Sequence, residues 1–301
     1  ENTNEEVKKM TIIEALLLGL IQGITEFLPV SSSGHLAIIE NLLHINSETS
    51  LPFQALVHLA LLAAVIGALR KEIKKLLMEL CRSLYDIYEN IKTYFHNRDK
   101  KDARRYKKII CNNYRKWFLL LVIASVPGTV VGWLFRDLAK LAGGNLLAPG
   151  MGLFITGIVL LVADFFPRGK KIPRDIGYSA ALVIGLIQGL TVFPGVSRLG
   201  IILAVCLAYG CQRKFAVKYV LLLSVPAFIG SFITECTHMT GASLGWQVWA
   251  GYVAGALAAG VAGYFSIRKV TRVLQNKKFY GFSVYCFLIG AAAVAGSFYL
   301  A

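Results

Sequence analysis

Long runs of apolar residues dominate this chain, and charged connectors separate them. Six runs are long enough to cross the roughly 30 Å hydrocarbon core of a bilayer as helices. They cover residues 53–69, 117–135, 150–166, 218–236, 247–267 and 279–300. The pattern therefore predicts an all-α integral membrane protein with six transmembrane helices, forming one membrane domain over residues 1–301.

Two further apolar regions, 11–45 and 178–211, are interrupted in the middle by Pro, Gly and Ser. The first contains PVSSSG at Pro29–Gly34, and the second contains PGVSRLG at Pro194–Gly200. The arm on each side of these turns is too short to span comfortably. Irregular backbone at membrane depth is tolerated only where protein or water surrounds it. Each region is therefore predicted to be a re-entrant helical hairpin.

The two interrupted regions are copies of one another. GLIQGITEFLPVSSSG at 19–34 and GLIQGLTVFPGVSRLG at 185–200 align without a gap and share ten identical positions of sixteen. Three predicted transmembrane helices follow each copy, so the second copy enters the membrane from the opposite side. We expect an inverted-topology repeat, with repeat 1 at 11–166 and repeat 2 at 178–300. Such repeats place binding sites near the membrane midplane.

Composition agrees with a membrane protein, since 56% of the residues are hydrophobic and the mean hydropathy is +0.59. The formal net charge of +15 is concentrated in connectors on one side of the predicted topology, above all in a basic insert at 71–115. Cytoplasmic connectors carry this excess of Lys and Arg, so we place the insert in the cytoplasm. No base-stacking or zinc-binding motif accompanies the charge, which argues against nucleic acid as a partner.

The first interrupted region carries an ionisable residue, Glu26, close to its turn. Such a residue at membrane depth costs roughly 2.5–3.5 kcal/mol on insertion scales, which makes Glu26 a functional candidate. Gln22 lies four residues earlier on the same helical face, so both side chains are able to address one small volume. Gln188 occupies the equivalent position in the second copy, and the two glutamines could equally serve only to join the hairpins.

A polar turn follows Glu26. It contains, in order, Ser31, Ser32, Ser33, Gly34 and His35. Backbone N–H groups at the start of the second short helix, together with the serine hydroxyls, are suited to cradle an anion. His35 adds a group that exchanges protons near physiological pH. His58 lies alone on a later apolar run and is interpreted as a hydrogen-bonded core residue.

The second turn supplies Gly195, Ser197 and Arg198 within PGVSR. A guanidinium beside a hydroxyl at a helix start is suited to bidentate capture of phosphate. Arg198 could instead only pair with Glu26 across the repeat interface, without any substrate. Together the two turns predict an anion site at membrane depth, and a lipid phosphate or diphosphate is the anion that belongs there.

At these residues the chain resembles the undecaprenyl-diphosphate phosphatase family associated with bacitracin resistance. The resemblance rests on TEFLPVSSSGH at 25–35, PGVSR at 194–198 and the order of the apolar runs. It implies a multi-pass enzyme of the bacterial inner membrane that hydrolyses undecaprenyl diphosphate to the monophosphate and so recycles the lipid carrier for cell-wall synthesis. It also implies a site open to the outer, periplasmic face and a supporting divalent cation, Mg²⁺ or Ca²⁺.

Residue by residue, the resemblance points to Glu26, Ser32, His35, Ser197 and Arg198. The assignment of roles adds the other polar and glycine positions of the two interrupted regions. Catalysis is assigned to Glu26, Ser32, His35 and Arg198. Substrate binding is assigned to Gln22, Ser31, Ser33, Gly34, Gly195 and Ser197. Glu26 and Gln22 are the candidate cation ligands.

Three positions depart from the family pattern. Gln22 stands where the family usually has the first of two glutamates, and Leu199 and Ile202 stand where it has Ser and Thr. One carboxylate and two hydroxyls are therefore absent, which leaves cation binding and the reaction rate as open questions.

Other functions are compatible with the same pattern. A polyprenyl-phosphate transporter or flippase without phosphatase activity is the main alternative, because inverted repeats with midplane hairpins suit transport equally well. A membrane scaffold that binds anionic lipid through the basic insert is a third, and it leaves the buried polar turns unexplained. The sequence separates neither a covalent from a direct-water mechanism nor a monomer from a homodimer.

Overall fold

The apolar runs form helices because a lipid core offers no water to backbone N–H and C=O groups, which must bond within their own segment. The computed structural model describes residues 10–43, 51–99, 103–238, 245–276 and 278–299. Within these ranges the chain forms twelve α-helices, one 3-10 turn and a single isolated β-bridge. The helices are α1 Ile12–Thr25, α2 Ser32–Leu43, α3 Leu51–Ala68, α4 Arg70–Asp99, α5 Asn113–Leu134, α6 Arg136–Gly143, α7 Leu147–Ala163, α8 Tyr178–Leu190, α9 Arg198–Ala208, α10 Arg213–His238, α11 Trp246–Asn276 and α12 Tyr280–Tyr299.

Five of these helices, α3, α5, α10, α11 and α12, are long and apolar enough to cross a membrane. A sixth candidate span arises when α7 is taken together with α6, from which it is bent by 109°. At most 50% of the apolar window of each of the five helices is buried in the protein, so much of their apolar surface is left to face lipid. The all-α membrane class predicted from the sequence is confirmed, with five or six spans among the described residues.

Helices distant in sequence pack together and bring the two polar turns into contact. Helix α1 packs on α11, and α8 packs on α5. Helix α3 contacts both α10 and α11, while α7 packs on α12 and also contacts α2 and α9. Because α2 and α9 both contact α7, the turn before α2 lies beside the turn before α9.

The duplicated GLIQG segments allow α1 and α8 to approach their partners at backbone distance. A Cβ atom at Gly19 would lie 2.0 Å from the carbonyl oxygen of Gly255 on α11. A Cβ atom at Gly185 would lie 2.3 Å from the carbonyl oxygen of Ala124 on α5. Small residues four apart are the usual means of such close helix packing in membranes. The two copies of the motif therefore serve the same packing task on α1 and α8.

This packing makes Gly19 intolerant of any side chain. We expect Gly19→Ala to destabilise the protein by roughly 1–3 kcal/mol, because the added methyl group must displace α11. Thermal unfolding in detergent measures the effect. Gly230→Ala on α10 is the matched control, since no atom of another described segment lies within 4 Å of a Cβ built there. Equal unfolding midpoints for the two variants would contradict the close contact of α1 with α11.

The basic insert 71–115 consists of α4, a non-helical segment that includes residues 103–112, and the start of α5. Lys218 of α10 holds the first turn of α4, since its Nζ atom lies 2.5 Å from Oε1 of Glu72. The insert is thereby attached to the helical bundle at its beginning.

Candidate active site

Glu26 connects the two polar turns. It caps the C-terminus of α1, and its Oε1 atom lies 2.5 Å from Nη2 of Arg198 at the start of α9. Its Oε2 atom accepts a hydrogen bond from the hydroxyl of Ser32, the first residue of α2. The Glu26 side chain is only 10% exposed, so most of the ion pair is shielded from solvent. The structure thus brings three of the predicted catalytic residues into direct contact.

The first turn is shaped by Ser31. This residue has a φ angle of 64°, a left-handed conformation that is uncommon outside glycine. Its hydroxyl lies 3.2 Å from Oγ of Ser33 and accepts the N–H of Gly34 at 3.2 Å. Ser31 is buried whereas Ser33 is exposed. The predicted serines therefore divide their tasks: Ser31 holds the turn, and Ser32 reaches Glu26.

The second turn is held by Thr156 of α7. The hydroxyl oxygen of Thr156 lies 3.0 Å from the carbonyl oxygen of Gly195 and accepts the N–H of Ser197 at 2.9 Å. Ser197 is buried and caps α9, because its Oγ atom accepts the N–H of Gly200 at 3.1 Å. Its Oγ atom is thus engaged in the cap, and Arg198 is the side chain of this turn that contacts Glu26 before the first turn.

The two turns touch at their glycines. Gly195 has a φ angle of +84°, and a Cβ atom there would lie 2.0 Å from the carbonyl oxygen of Pro149. A Cβ atom at Gly34 would lie 2.9 Å from Cα of Gly195. Any side chain at these positions would push the turns apart, so both glycines serve close backbone approach.

His35 is buried in the first turn of α2, and both of its ring nitrogens have partners. Nδ1 lies 2.7 Å from the carbonyl oxygen of Ser31, and Nε2 lies 2.8 Å from the hydroxyl of Tyr285 on α12. A carbonyl oxygen only accepts hydrogen bonds, so we assign the proton of the neutral ring to Nδ1 and leave Nε2 as the acceptor. Ser31 and Tyr285, rather than Glu26, therefore orient the ring.

Phe228 of α10 supports the side chain of Arg198. The Cζ atom of Arg198 lies 5.1 Å from the centre of the Phe228 ring, within range of a cation–π interaction. The ring of His58 lies 5.8 Å from the same ring, and its Nδ1 atom lies 2.9 Å from the carboxylate of Glu235. The predicted hydrogen bonding of His58 is thus confirmed, with Glu235 as its partner.

Gln22 has its own environment on α1. Its Nε2 atom donates to Oε1 of Gln54 on α3 at 3.3 Å, and its buried Oε1 atom has no hydrogen-bond partner among the described residues. The Oε1 atom of Gln188 on α8 is likewise buried without a partner. The shared environment of the two glutamines favours a common packing role in the two copies of the motif.

Comparison with known proteins places the chain in a family. The family model described as Bacitracin resistance protein BacA matches residues 15–292. The chain belongs to this family. It is similar to the undecaprenyl-diphosphatase of Alkaliphilus metalliredigens, with 32% identity over 285 residues that cover 95% of this chain and 98% of the relative. The undecaprenyl-diphosphatase of Thermosipho africanus is 33% identical over 278 residues, which cover 92% of this chain and 97% of the relative.

Two of the departures from the family pattern lie in α9. Leu199 is 6% exposed and Ile202 is fully buried, and both belong to the hydrophobic core. Leu and Ile carry no hydroxyl, so α9 offers none to a ligand at these positions. Their side chains pack inside the bundle instead. Arg198 is therefore the main contribution of this helix to the site.

Sequence reasoning missed Thr156, Phe228 and Tyr285. Each lies within an apolar run far along the chain from the turn that it contacts, so no local pattern connects it with the site. Of the three, only Thr156 could have been found from the sequence, because a hydroxyl in the middle of an apolar helix needs a hydrogen-bond partner.

Proposed function

We propose that this protein hydrolyses undecaprenyl diphosphate to undecaprenyl monophosphate and inorganic phosphate, and so returns the lipid carrier to cell-wall synthesis. The observation that carries the proposal is the contact of Glu26 with both Arg198 and Ser32. The guanidinium of Arg198, the carboxylate of Glu26 and the hydroxyl of Ser32 therefore meet where α2 and α9 begin. Relatives that cover almost the whole chain bear the name undecaprenyl-diphosphatase, which supports this substrate.

The terminal phosphoryl group is held by Arg198 and by the first turn of α2. Arg198 is placed in advance by Glu26 and Phe228, so it needs little reorganisation when the phosphate arrives. The first turn of a helix leaves N–H groups without intrahelical partners, and the helix dipole favours an anion there. Ser31 already takes the N–H of Gly34, which leaves those of Ser32 and Ser33 for phosphate oxygens. Such fixed donors are the main source of rate in phosphoryl transfer.

Proton transfer is assigned to Glu26 and His35. The Ser32 hydroxyl already donates to Glu26, so this carboxylate takes the proton when Ser32, or a water in its place, attacks the terminal phosphorus. The bond from that phosphorus to the bridging oxygen breaks, and the oxygen leaves with the lipid monophosphate. His35 exchanges a proton through Nε2, where Tyr285 now binds. On the serine route the phosphoryl group passes to Ser32, and water then hydrolyses this phosphoserine, which releases inorganic phosphate and restores the hydroxyl. On the water route the attack releases inorganic phosphate in one step.

A divalent cation fits this site only with the help of the substrate. Among the described residues no three His, Cys, Asp or Glu side chains lie together as a metal site. Mg²⁺ is commonly held by one or two carboxylates together with substrate phosphates, and Glu26 supplies one carboxylate. Glu26, with the diphosphate, would hold Mg²⁺ or Ca²⁺, and the cation would offset phosphate charge when bound.

The inverted repeat is part of the proposal. The packing of α1 on α11 matches that of α8 on α5, as exchange of the two repeats requires. Connectors 136–149 and 237–246 contain only two basic residues, Arg136 and Lys140, and we assign them to the outer side. Six spans and two re-entrant hairpins then fill the inner membrane, with the first hairpin and the site opening to the outer face. Labelling of a cysteine at Lys140 from outside intact cells, and of one at Arg174 only after permeabilisation, would support this orientation.

Phosphate release tests the activity directly. Purified protein in detergent should release inorganic phosphate from undecaprenyl diphosphate. Ser32→Ala should abolish most of the release on the serine route and leave much of it on the water route. Ser125→Ala is a matched control, because the Ser125 hydroxyl only bonds the Leu121 carbonyl within α5. Tight binding of the lipid without phosphate release would overturn the proposal and favour the transporter.

The departure at Gln22 leads to a prediction about the cation. A carboxylate holds a hard cation better than an amide does. We therefore expect Gln22→Glu to lower the Mg²⁺ concentration that gives half-maximal phosphate release. Gln188→Glu is the matched control, because the amide oxygen of Gln188 is also buried. Four residues after Gln188 the chain has Val192, whereas four residues after Gln22 it has the carboxylate of Glu26. An unchanged midpoint in Gln22→Glu would mean that Gln22 only packs.

A further inference from the structure

The acidic side chains of α4 face the return segment 103–112 and the start of α5. Glu79 accepts hydrogen bonds from Nδ2 of Asn112 at 2.8 Å and from Nε of Arg115 at 2.9 Å. Asp86 accepts from Nη1 of Arg115 at 2.6 Å. The bonds from Asn112 and Arg115 hold the pKa of Glu79 below its ordinary range. This face of α4 is thus neutralised within the protein.

The return segment is fastened along the same side of α4 by two asparagines. Asn90 bonds both the N–H and the carbonyl oxygen of Lys107, at 2.7 and 2.8 Å. Asn97 bonds both backbone groups of Arg104 in the same way, at 2.7 and 2.9 Å. These paired contacts fix the rotation of α4. Its opposite side is turned away from the return segment, except at the edge, where the ring of Tyr85 lies 5.0 Å from Nζ of Lys107.

That opposite side is apolar and aromatic. Nine large side chains on it are between 38% and 62% exposed. They are Leu77, Met78, Leu84, Tyr85, Ile87, Tyr88, Ile91, Tyr94 and Phe95. At the helical repeat of 3.6 residues per turn they occupy an arc of about 200°. Between residues 74 and 95, Lys74 and Lys92 fall within this arc, and neither Asp nor Glu does. The outer side of α4 therefore combines broad apolar surface with positive charge.

An open groove continues this surface to the membrane-spanning part of the chain. It lies where α3 passes into α4 and has a volume of about 500 Å³. Its apolar lining includes Ile66, Leu77 and Met78, and its charged lining consists of Arg70, Lys74 and Arg82. Since α3 ends at Ala68 and α4 begins at Arg70, the groove sits at the end of a membrane span. Arg82 is paired with Glu79 at 2.7 Å, so Arg70 and Lys74 are the cations that we assign to a ligand. Together with the apolar walls they match an anionic lipid: the walls suit its acyl chains and the cations suit its headgroup.

We propose that α4 lies in the headgroup region of the cytoplasmic leaflet, where its apolar arc enters the acyl-chain boundary and its basic residues bind anionic phospholipid. A helix with one broad apolar and aromatic side, many Lys and Arg residues and low overall hydrophobicity is typical of this location. Basic residues next to a membrane span are attracted to an anionic membrane surface. The inference rests on the topology proposed above, and not on the phosphatase activity.

A second copy of the chain is a poorer match for this surface. A two-stranded coiled coil uses a narrow apolar seam flanked by residues of opposite charge. The arc on α4 is much broader, and symmetric pairing would bring Lys74 and Lys92 near their own copies. Anionic headgroups complement both features, because they supply negative charge beside an extended apolar phase.

Spin-label accessibility in liposomes tests the proposal on the full chain. The exposed Cys81, Cys111 and Cys236 are replaced by Ser, and a nitroxide is attached through Tyr88→Cys at the centre of the arc. Lys108→Cys, exposed on the return segment, is the matched control. In liposomes of phosphatidylcholine and phosphatidylglycerol, the label at 88 should be more accessible to oxygen than to a water-soluble nickel chelate. The label at 108 should show the reverse order.

Charge and self-association are separated by two further measurements. Lys74→Gln with Lys92→Gln should lower the oxygen preference at position 88 in phosphatidylglycerol membranes toward the value in pure phosphatidylcholine. A label at 88 that remains accessible to the nickel chelate would overturn the proposal. Dipolar broadening between labels at 88 would overturn it as well, because a second copy would then occupy the surface. Neither result depends on phosphate release, so failure here leaves the proposed enzyme activity untouched.

Discussion

Replacement of Arg198 by lysine is expected to lower the kcat of phosphate release by about 10²–10³-fold. Lysine keeps the positive charge and the ion pair with Glu26, so the protein should fold and express as before. It loses the planar fork that bonds two phosphate oxygens at once and that lies over the ring of Phe228. Steady-state kinetics with undecaprenyl diphosphate, together with thermal unfolding in detergent, measure the two effects separately.

Arg213 is the matched control, because it also combines an aromatic ring and a carboxylate as neighbours but lies outside the proposed site. Its Cζ atom lies 4.2 Å from the centre of the Phe279 ring, and its Nη2 atom lies 3.7 Å from Oδ1 of Asp164. Arg213→Lys therefore loses an equivalent stacked guanidinium and should retain the activity of the wild type. Similar rates for both lysine variants would remove Arg198 from the proposed site.

His35→Ala is expected to lower kcat by about 10²–10⁴-fold, the usual contribution of a general acid or base. The reason lies in Nε2, which accepts a hydrogen bond while Nδ1 is occupied by the Ser31 carbonyl. Tyr285→Phe removes the partner of Nε2 but leaves the imidazole. It should cost less than about tenfold, since one neutral hydrogen bond contributes about 0.5–1.5 kcal/mol.

The pH profile of kcat distinguishes two roles of His35, proton transfer in catalysis and structural support of the first turn. If His35 transfers protons, the ionisation seen in the profile of the wild type should be missing in His35→Ala. His96→Ala, on α4, removes a histidine outside the site and should leave rate and profile unchanged. An intact profile with a lowered rate in His35→Ala would mean that His35 only holds the backbone of Ser31.

Much of the helical layout was predictable because the bilayer sets it. A span needs about twenty apolar residues, so the runs in the sequence mark the long helices to within a few positions. Glu26 and Arg198 were predictable for a related reason, since charged residues in apolar surroundings stand out. The duplicated segment then indicated that the two would share a site. Their direct contact agrees with that prediction.

The supporting contacts depend on which helices become neighbours, and no local pattern contains that information. Tyr285 follows His35 by 250 positions, and Thr156 precedes Ser197 by 41, yet each pair is joined by a hydrogen bond. Ser197 was predicted to bind substrate, and in the structure its Oγ atom also caps α9 by accepting the N–H of Gly200. A serine before a helix suits either task, and only the packing of α7 against the turn distinguishes them.

The ion pair of Glu26 and Arg198 constrains how the sequence of this protein is able to change. Each charge is the counter-ion of the other, and the two lie in different copies of the repeated segment, 19–34 and 185–200. Loss of either one alone leaves a largely buried charge without its partner, which is costly. The two positions therefore have to change together. A chain with the first segment in both places would lack the guanidinium, and a chain with the second segment in both places would lack the carboxylate.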